Sequence, residues 1–393
     1  MSESSSKPMY ERIFEALRGA IVAGQYEIGD RVPSEKELGD AHGVSRITSK
    51  KALELLAGAG YIVRQPGRGS FVADPSAMRE PANVFDGQLP HARGRRPARQ
   101  DGKPLIGLVI TDFADSYGTA LIYGMEEASR RHGGYLVLRR SFGVPAFEEE
   151  AIRELLALGV DGLIVFPAQG EYFNAEILKL VIAKFPLVLV DRHLKGVAAA
   201  SISTDNVKAA KEGTHYLFGL GHASIAFLSP PPADTTAIEE RIEGFIQAHA
   251  EKGIKVDRAL WIEDIASSLP QANAEDNRRR DIAKIKAHLE RHQQITAIFA
   301  TEYNIAQLAF RAARELGLSV PDELSILCFD SPEINGAFPL THLKQNQHGM
   351  GTLAFEHVLK LRDGEPLPRK TLLGAALVAG ESTAPMQPRR RDA

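Results

Sequence analysis

The stretch PSEKELGDAHGVSRITSKKALELL, residues 33–56, predicts two helices in close succession. Ser34 followed three residues later by Glu37 is the pattern of a capping box, in which each side chain accepts a hydrogen bond from the other residue's backbone N–H. Gly43 is expected to end this short helix, because glycine adopts the left-handed conformation found beyond many helix ends. Ser45 then predicts the N-cap of the next helix, since its hydroxyl can accept from a backbone N–H of the first turn.

The flanking sequence extends these two helices to a small domain. Before them, apolar residues recur at helical spacing from Tyr10 until Gly24: Ile13, Phe14, Leu17 and Ile21. Gly60 is expected to end the third helix, whose inner face is predicted to carry Ala52, Leu53, Leu55 and Leu56. The run YIVRQPGRGSFV, residues 61–72, predicts two short strands around a Pro-Gly turn. Three helices and a hairpin describe an α+β winged helix-turn-helix, which we place at residues 7–74.

The start of the third helix carries side chains suited to phosphates and base edges. Although the chain has a net charge of −3, residues 45–72 contain one acid, Glu54, against the basic residues Arg46, Lys50, Lys51, Arg64 and Arg68. The hydroxyls of Ser45 and Thr48 are short donors to phosphate, and Arg46 can form two parallel hydrogen bonds with a guanine edge. Lys50 and Lys51 add point charges, and the helix dipole favours phosphate at the same place. This ordering predicts an interface with double-stranded DNA rather than a solvated charged face.

Residues 10–72 resemble the DNA-binding domain of GntR-family transcription regulators almost end to end. The resemblance rests on the GDRVPSEKEL run, the VSRIT helix start and the GRGSFV wing. It implies that the DNA-contacting residues are Arg31 and Lys36 on the backbone, Ser45, Arg46, Thr48 and Lys50 in the major groove, and the wing-tip residues Gly67, Arg68 and Gly69 near the minor groove. The sequence departs from the family pattern at Ser49, where an apolar residue is usual, and at Lys50, where arginine is common.

Residues 75–103 are predicted to form a flexible linker. Proline recurs along this segment, apolar periodicity is absent, and RGRRPAR lies at residues 93–99. Such a composition does not bury enough apolar surface to fold alone. Two roles for its arginines remain open: they contact DNA phosphates, or they keep the tether extended. The basic tail at residues 387–393 has a similar composition, and we assign it no role.

From Leu105 onward, short apolar runs alternate with helical segments. The runs before a transition at SISTD, residues 201–205, are LIGLVIT, YLVLR, DGLIVF and PLVLVD, and those after it are IAFLS, TAIFA and LSILCF. Continuous apolar strands separated by helices predict parallel sheets that are covered on both faces. Two successive units predict an α/β fold with two doubly wound lobes over residues 104–386. Ligands of such folds bind beyond the C-terminal ends of the strands, here in the cleft between the lobes.

Polar loops follow several of these strands, among them TDFADSY, VDRH, ATEYN and CFDSPE. Taken alone, Asp191 or Asp330 is explained as a helix cap or an ion-pair partner, and Arg241 as a surface arginine. Together, acids and an arginine at several strand ends suit a polyhydroxylated ligand. Carboxylates accept from adjacent hydroxyls, a guanidinium donates, and aromatic faces cover C–H surfaces.

Residues 104–385 resemble the effector domain of LacI/GalR-type repressors, which is itself similar to periplasmic sugar-binding proteins of type I. The resemblance rests on VDGLIVFPA, PLVLVDR, ARELGLSVPDELSILCFD, R-x-x-G-F at residues 241–245 and ESTAP at residues 381–385. It implies an effector, a monosaccharide or a derivative, that contacts Asp191, Arg241, Glu302 and Asp330, with Tyr117 forming a wall of the cleft. Further candidates lie in two loops: Asp112, Phe113, Ser141 and Phe142. The sequence departs from the family pattern at Glu302, where an amide is usual, at Ser331, where a second acid is common, and at Gly380, where arginine is frequent.

The two resemblances together imply the architecture of arabinose-responsive repressors. They predict a homodimeric, allosteric repressor of sugar-utilisation genes that a small sugar releases from its operator DNA. A ligand that instead promotes DNA binding remains an alternative. An enzyme is a rival class, but residues 105–385 contain no Gly-rich phosphate loop, nucleophile elbow or metal-ligand spacing. We therefore expect no catalytic residue, metal or cofactor.

A transport-type sugar-binding protein is another rival class, but it requires export. The N-terminal sequence has no apolar segment typical of a signal peptide, and no apolar run is long enough for a membrane helix. The single cysteine, Cys328, excludes an internal disulfide and is typical of a reducing compartment. These observations predict a cytoplasmic protein that has no membrane partner.

Overall fold

The computed structural model describes residues 9–22, 25–27, 29–58, 61–65, 69–72, 102–168, 174–233, 235–269, 272, 274–332 and 338–387. The wing-tip residues Gly67 and Arg68, most of the predicted linker and residues 388–393 of the predicted tail lie outside these ranges. The described chain divides into two compact units. The first comprises residues 9–72 with 174–185 and 196–198, and the second comprises the other residues from 102 onward.

The N-terminal residues of the first unit form the predicted helices and hairpin. The helices are α1 (Met9–Val22), α2 (Glu35–His42) and α3 (Arg46–Gly58), and the strands are β1 (Ile62–Gln65) and β2 (Gly69–Val72). The strands are antiparallel, with Ile62 opposite Val72. The core between the helices and the hairpin is apolar and includes Tyr10, Ile13, Phe14, Leu17, Leu38, Leu53, Leu56 and Ile62. The winged helix-turn-helix prediction is therefore confirmed for the described residues.

The predicted capping residues define the turn between α2 and α3. Ser34 Oγ accepts from the Glu37 N–H at 3.3 Å, and Glu37 Oε2 accepts from the Ser34 N–H at 2.6 Å. Gly43 follows α2 with a φ of 63°, in the left-handed region that favours glycine. Ser45 Oγ accepts from the Thr48 N–H at 3.2 Å. These bonds pair backbone donors that a helix start otherwise leaves unsatisfied, and they fix where α3 begins.

In the described part of the second unit, the strands form two six-stranded sheets. The first sheet contains β3 (Leu105–Ile110), β4 (Tyr135–Arg140), β5 (Gly162–Val165), β6 (Leu187–Val190), β7 (Ala200–Thr204) and β13 (Lys370–Leu373), in the order β13-β7-β6-β5-β3-β4. The second contains β8 (Ile225–Leu228), β9 (Trp261–Ile262), β10 (Ala297–Ala300), β11 (Ser325–Phe329), β12 (Thr341–Gln345) and β14 (Ala375–Val378), in the order β14-β12-β11-β10-β8-β9. Every pairing is parallel except that of β12 with β14.

Helices follow most of these strands along the chain. They are α4 (Thr119–Arg131), α5 (Pro145–Leu158), α6 (Ala175–Ile182), α7 (Asn206–Gly219), α8 (Thr236–Lys252), α9 (Glu275–Arg291), α10 (Tyr303–Glu315) and α11 (Gln347–Arg362). The first sheet shares a core with α4 and α11, where Met125, Met350 and Phe355 are fully buried. The second sheet has an aromatic core in which Phe227 packs against Phe245 and Phe299, with ring centroids 5.0 and 5.6 Å apart. None of the described helices combines the length and apolarity needed to cross a membrane.

The structure corrects the sequence prediction at the sheet edges. SIST, predicted as a transition, is the fifth strand of the first sheet, β7, and its residues 201–204 are buried. The strands β9, β12, β13 and β14 were not predicted. β13 and β14 each lie at the edge of a sheet and carry partly exposed residues. They are therefore not covered on both faces, as a central strand is.

The described chain passes between the two sheets after Thr204, after Gln345 and after Leu373. α7 packs in the core of the second sheet although it follows a strand of the first. α11 packs in the core of the first sheet although it follows a strand of the second. We call Asp205, Asn346 and Gly374 the crossovers. We call each sheet with the helices in its core a lobe. The crossovers that join the lobes are short segments at strand ends, which is the type of position at which hinges occur.

Candidate functional site

A cavity of about 140 Å³ lies beyond the C-terminal ends of strands from both sheets. Its lining residues are Ser116, Tyr117, Phe166, Asp191, Arg192, Thr235, Ala237, Ile238, Arg241, Thr301, Glu302, Tyr303, Asn304, Phe329, Asp330 and Gln345. The structure therefore brings together the five cleft residues that the sequence singled out, although they are separated by up to 213 positions in the chain. One ordered water needs roughly 10–15 Å³ of such space, so the cavity has room for a small ligand.

Asp191 follows β6 and is held in a fixed position. Its φ is 71°, a left-handed conformation that is costly for a residue other than glycine and recurs at functional sites. The Tyr117 hydroxyl donates to its Oδ1, and Arg192 Nε lies 3.4 Å from its Oδ2. Burial, together with the negative charge of Asp191, raises the pKa of Tyr117 well above its ordinary value. Tyr117 therefore remains a phenol and acts as a hydrogen-bond donor.

Asp330 occupies the equivalent place after β11, and its φ is 55°. Gln345 Nε2 donates to its Oδ2 at 2.5 Å, the Gln345 backbone N–H donates to its Oδ1 at 3.1 Å, and Gln347 Nε2 lies 3.4 Å from Oδ1. Burial raises the pKa of Asp330, while the two hydrogen bonds from Gln345 act in the opposite direction. The carboxylate is thus held by amide donors at the end of β12.

Arg241 projects from α8 and is only 5% exposed. Its Nε donates to Asn206 Oδ1 at 2.9 Å, and its Nη1 donates to the backbone carbonyl of Thr301 at 2.6 Å. The guanidinium carbon lies 3.8 Å from the centre of the Phe329 ring. Two hydrogen bonds and a stacking contact fix the planar group, and Nη2 forms no hydrogen bond with the described residues. This leaves one arm of the fork to bind a ligand acceptor.

Glu302 precedes α10 and lines the same cavity. Burial raises the pKa of its carboxyl, while the positive charge of Arg241 and the nearby hydroxyl of Ser268 act in the opposite direction. In the described part of the chain it forms no ion pair. An acid at this position therefore offers acceptor oxygens to a ligand, and a donor only when it is protonated.

Several lining residues were not predicted. Arg192 stands directly after Asp191, and its guanidinium carbon lies 4.7 Å from the centre of the Phe166 ring. Gln345 ends a strand that the sequence analysis missed. Phe166, Arg192 and Thr301 each stand at the end of a predicted strand. Their position at strand ends was the signal that could have identified them.

The described lining of the cavity does not include Asp112, Phe113, Ser141 or Phe142, so their assignment to the ligand site stays a prediction. Three of them contact Arg140, the last residue of the edge strand β4. Its Nη2 lies 3.0 Å from Asp112 Oδ1, and its guanidinium carbon lies 4.4 and 5.8 Å from the ring centres of Phe142 and Phe113. Ser141 is fully buried, with its Oγ 3.5 Å from the carbonyl of Ile110.

On the first unit, most residues of the predicted DNA interface are accessible. The exposed ones are Arg31, Lys36, Ser45, Arg46 and Lys50. Thr48 is half-buried, and its Oγ1 lies 2.9 Å from Ser45 Oγ. Gly69 has a φ of 119°, and a Cβ at this position would lie 3.0 Å from Arg31 Nε. The structure thus brings Arg31 next to the start of the wing strand β2. Gly67 and Arg68 of the wing tip lie outside the described residues.

Two residues of α3 differ from the expectation. Lys51, expected to add a charge to the interface, is 4% exposed, and its Nζ lies 3.6 Å from the centre of the Tyr10 ring. It packs inside the domain and cannot serve DNA phosphates. Ser49 is fully buried, and its hydroxyl donates to the carbonyl of Glu35 at 2.5 Å. This bond to α2 explains how a polar residue occupies a position where an apolar one is usual.

Comparison with known proteins assigns both parts of the chain. Residues 9–72 match the bacterial regulatory proteins of the gntR family, and residues 214–383 match the periplasmic binding protein-like domain. The arabinose metabolism transcriptional repressor of Geobacillus stearothermophilus is 25% identical over 361 residues, which cover 90% of this chain and 91% of that protein. The repressor of the same name from Halalkalibacterium halodurans is 25% identical over 361 residues, which cover 91% and 90%.

Among solved structures, the transcription regulator CcpA of Lactococcus lactis aligns with a TM-score of 0.62 at 21% identity, and the alignment covers 72% of this chain and 99% of that one. At this identity the likeness concerns the fold. The chain combines a gntR-type helix-turn-helix domain with a periplasmic-binding-protein-like α/β domain. The relatives named above are transcriptional regulators, not enzymes.

Proposed function

We propose that this chain is a ligand-responsive transcription repressor of carbohydrate-utilisation genes, which acts as a homodimer in the cytoplasm. A small sugar or sugar derivative binds the cavity and releases the protein from operator DNA. The observation that carries the proposal is the convergence of Tyr117, Asp191, Arg241, Glu302 and Asp330 on one cavity in a chain that also contains a helix-turn-helix domain. The alignments with the two arabinose metabolism transcriptional repressors support the proposal, because they cover 90% and 91% of this chain.

The exposed N-terminal end of α3 supports DNA binding. Ser45 and Arg46 are accessible where the positive end of the helix dipole also favours phosphate. In a helix-turn-helix dimer, the recognition helices enter the major groove at half-sites separated by one helical turn, about 34 Å. In this assignment Ser45, Arg46, Thr48 and Lys50 lie in the major groove, with Arg46 on a base edge. Arg31 and Lys36 serve the phosphates, and the wing from Gly67 through Arg68 to Gly69 follows the minor groove.

The cavity supports a hydroxyl-rich ligand. Its carboxylates accept hydrogen bonds from hydroxyls, Arg241 donates through its remaining arm, and the rings of Phe166, Tyr303 and Phe329 cover C–H surfaces. An apolar ligand would leave several buried polar groups without partners, at a cost of roughly 1–3 kcal/mol each. The cavity therefore favours polyols over apolar compounds.

The crossovers give the ligand a way to act at a distance. Residues of the first lobe, such as Asp191, and of the second lobe, such as Asp330, line the same cavity, so a ligand that contacts both stabilises a closed arrangement. Closure rotates one lobe against the other about the crossovers and repacks the dimer interface. A coupling free energy of about 1–3 kcal/mol between ligand and operator would suffice for regulation.

Two alternatives make different predictions. If the ligand promotes DNA binding, the same coupling has the opposite sign. If the chain were a transport-type sugar-binding protein, residues 9–72 would have no role. The match of this segment to gntR-family regulators therefore favours the repressor.

The test is a fluorescence-anisotropy titration of the purified full-length protein with genomic DNA fragments, followed by a thermal-shift screen against pentoses, hexoses, amino sugars, uronates and sugar phosphates. A true ligand raises the melting temperature by mass action. We expect one fragment to bind tightly and the stabilising sugar to release it. Absence of sequence-specific DNA binding, with and without ligand, would overturn the proposal. Tighter binding in the presence of ligand would identify a co-repressor.

A further inference from the structure

The charged side chains that line the cavity do not balance. The lining contains three carboxylates, Asp191, Glu302 and Asp330, against two guanidinium groups, Arg192 and Arg241. No lysine or histidine is among the described lining residues. With these groups ionised, the cavity has an excess of one negative charge.

Two of the carboxylates already have strong partners. Asp191 accepts from the Tyr117 hydroxyl and pairs with Arg192, whose Nε lies 3.4 Å from Oδ2. Asp330 accepts from the side-chain amide of Gln345 at 2.5 Å and from its backbone N–H at 3.1 Å. Hydrogen bonds from donors that the fold itself fixes in place compensate these two charges.

Glu302 differs from both, because no ion pair within the described chain compensates it. The nearby cation, Arg241, directs two of its nitrogens away from carboxylates, to Asn206 Oδ1 and to the carbonyl of Thr301. Among the described residues, a carboxylate without an ion pair and a guanidinium arm without a hydrogen bond thus line the same cavity.

The groups around this space determine which ligand fits best. The side chains of Phe166, Phe329 and Ile238 also line the cavity. A carboxylate among such apolar groups is stabilised most by a cation that also donates hydrogen bonds. A protonated amine on the ligand meets both needs. An anionic group would meet an excess of like charge at short range, where the local dielectric screens it weakly.

We infer that the cavity selects a hydroxyl-rich ligand that carries a basic nitrogen, of the amino-sugar class, and that Glu302 is the residue that makes this selection. The inference rests on the proposed function, because it names the ligand class of the same cavity. The ammonium pairs with Glu302, a neighbouring hydroxyl accepts from the free arm of Arg241, and Asp191 and Asp330 accept from the remaining hydroxyls. Sugar acids and sugar phosphates are excluded.

The test uses matched ligands that differ at one substituent. Isothermal titration calorimetry at neutral pH compares a hexosamine, its N-acetyl derivative, the parent hexose and the hexuronic acid, in the gluco, galacto and manno series. The proteins are the full-length wild type, Glu302→Gln, and Glu290→Gln, which removes an exposed carboxylate of α9 outside the cavity. The glutamine keeps the size of the side chain and removes its charge.

We expect the wild type and Glu290→Gln to bind one hexosamine at least about tenfold more tightly than its parent hexose, with the N-acetyl derivative and the acid weaker still. In Glu302→Gln the ratio of hexosamine to hexose affinity should fall to about one. A hexose or an acid that binds as tightly as the hexosamine, a preference that survives in Glu302→Gln, or no binding in any series would overturn the inference. The proposed function is judged separately: a neutral sugar that releases operator DNA would leave it standing, whereas absence of operator binding would not.

Discussion

Gln345 donates its side-chain amide to Asp330 at 2.5 Å, and this bond joins the cavity to a crossover between the lobes. The carbonyl of the same side chain accepts from Thr204 Oγ1 at 2.6 Å, at the end of β7. Gln345 is the last residue of β12, directly before the crossover at Asn346. One buried side chain therefore touches a ligand-facing carboxylate and two of the three strands that lead into crossovers, β7 and β12. This position suits a residue that relays ligand binding to the hinge.

Gln345→Ala should weaken ligand binding and the release of DNA while operator binding without ligand is unchanged. A hydrogen bond to a charged group contributes about 1.5–3 kcal/mol, so we expect ligand affinity to fall by roughly 10- to 150-fold. Calorimetry measures the affinity, and anisotropy measures the operator complex. Gln247→Ala, which removes an amide that bonds Glu243 on the surface of α8, is the control. A variant with normal affinity and normal release would show that Gln345 only fills space.

Arg241→Lys should abolish the response to ligand and preserve operator binding. Lysine keeps the positive charge but cannot bond Asn206 and Thr301 and also reach the ligand, because it lacks the planar fork. We expect a loss of at least about 2 kcal/mol in ligand affinity, since a buried charged donor is misplaced. Operator release is followed by anisotropy over a ligand titration. Release at the wild-type ligand concentration would remove Arg241 from the site.

Arg46→Ala should cost about 1–3 kcal/mol in operator affinity and relax the base preference at one position of each half-site. Lys36→Ala should weaken binding to all sequences about equally, because a phosphate contact carries no sequence information. Binding to a library of single-base operator variants distinguishes the two. Equal losses on every variant for both substitutions would mean that Arg46 contacts only phosphate.

Ser49→Ala should destabilise the helix-turn-helix domain without touching DNA. Its hydroxyl donates to the carbonyl of Glu35 at 2.5 Å and lies 3.1 Å from that of Arg46, so the substitution removes a buried hydrogen bond that joins α3 to α2. Loss of one such bond costs about 0.5–1.5 kcal/mol. Chemical denaturation measures the free energy of unfolding, and Ser45→Ala, at the exposed N-cap, provides a comparison. A Ser49→Ala protein as stable as the wild type would mean that the bond from Ser49 to Glu35 does not stabilise the domain.

The sequence predicted the features that depend on local patterns. The capping box of Ser34 and Glu37 involves residues three positions apart, and its bonds follow from chain geometry alone. Buried parallel strands leave continuous apolar runs, and polar residues directly after them meet at one edge of a sheet. Asp191 and Asp330 could therefore be grouped before their contacts were known, whereas the place of Tyr117 was implied by the resemblance to LacI/GalR-type repressors.

Features that depend on distant partners could not be predicted in this way. β13 belongs to the first sheet although it lies about 166 residues after the strand it pairs with, and nothing in its own composition indicates this. Lys51 has the same chemistry as Lys50, yet Lys51 is buried against the Tyr10 ring of another helix and Lys50 is exposed. Asp112 lies near the start of the loop after β3, where it pairs with Arg140 and does not line the cavity.

The buried acids predict how stability depends on pH. Burial raises the pKa of Glu302 and of Asp330 above their ordinary values of 4.5 and 3.8. At a pH between the ordinary pKa and the raised pKa, the folded protein therefore binds more protons than the unfolded chain. The stability that these groups contribute is present below the ordinary pKa, and it is lost as the pH rises through the raised pKa. In the ligand-free Glu302→Gln protein, stability should fall less steeply as the pH rises. Its melting temperature should therefore exceed that of the wild type at neutral pH, whereas the two melting temperatures should be equal in acid. Calorimetric scans from pH 4 to pH 8, with Glu290→Gln as control, measure the difference in melting temperature. We expect it to be roughly a few degrees. Parallel curves for all three proteins would show that the cavity carboxylate carries no unfavourable charge in the folded state.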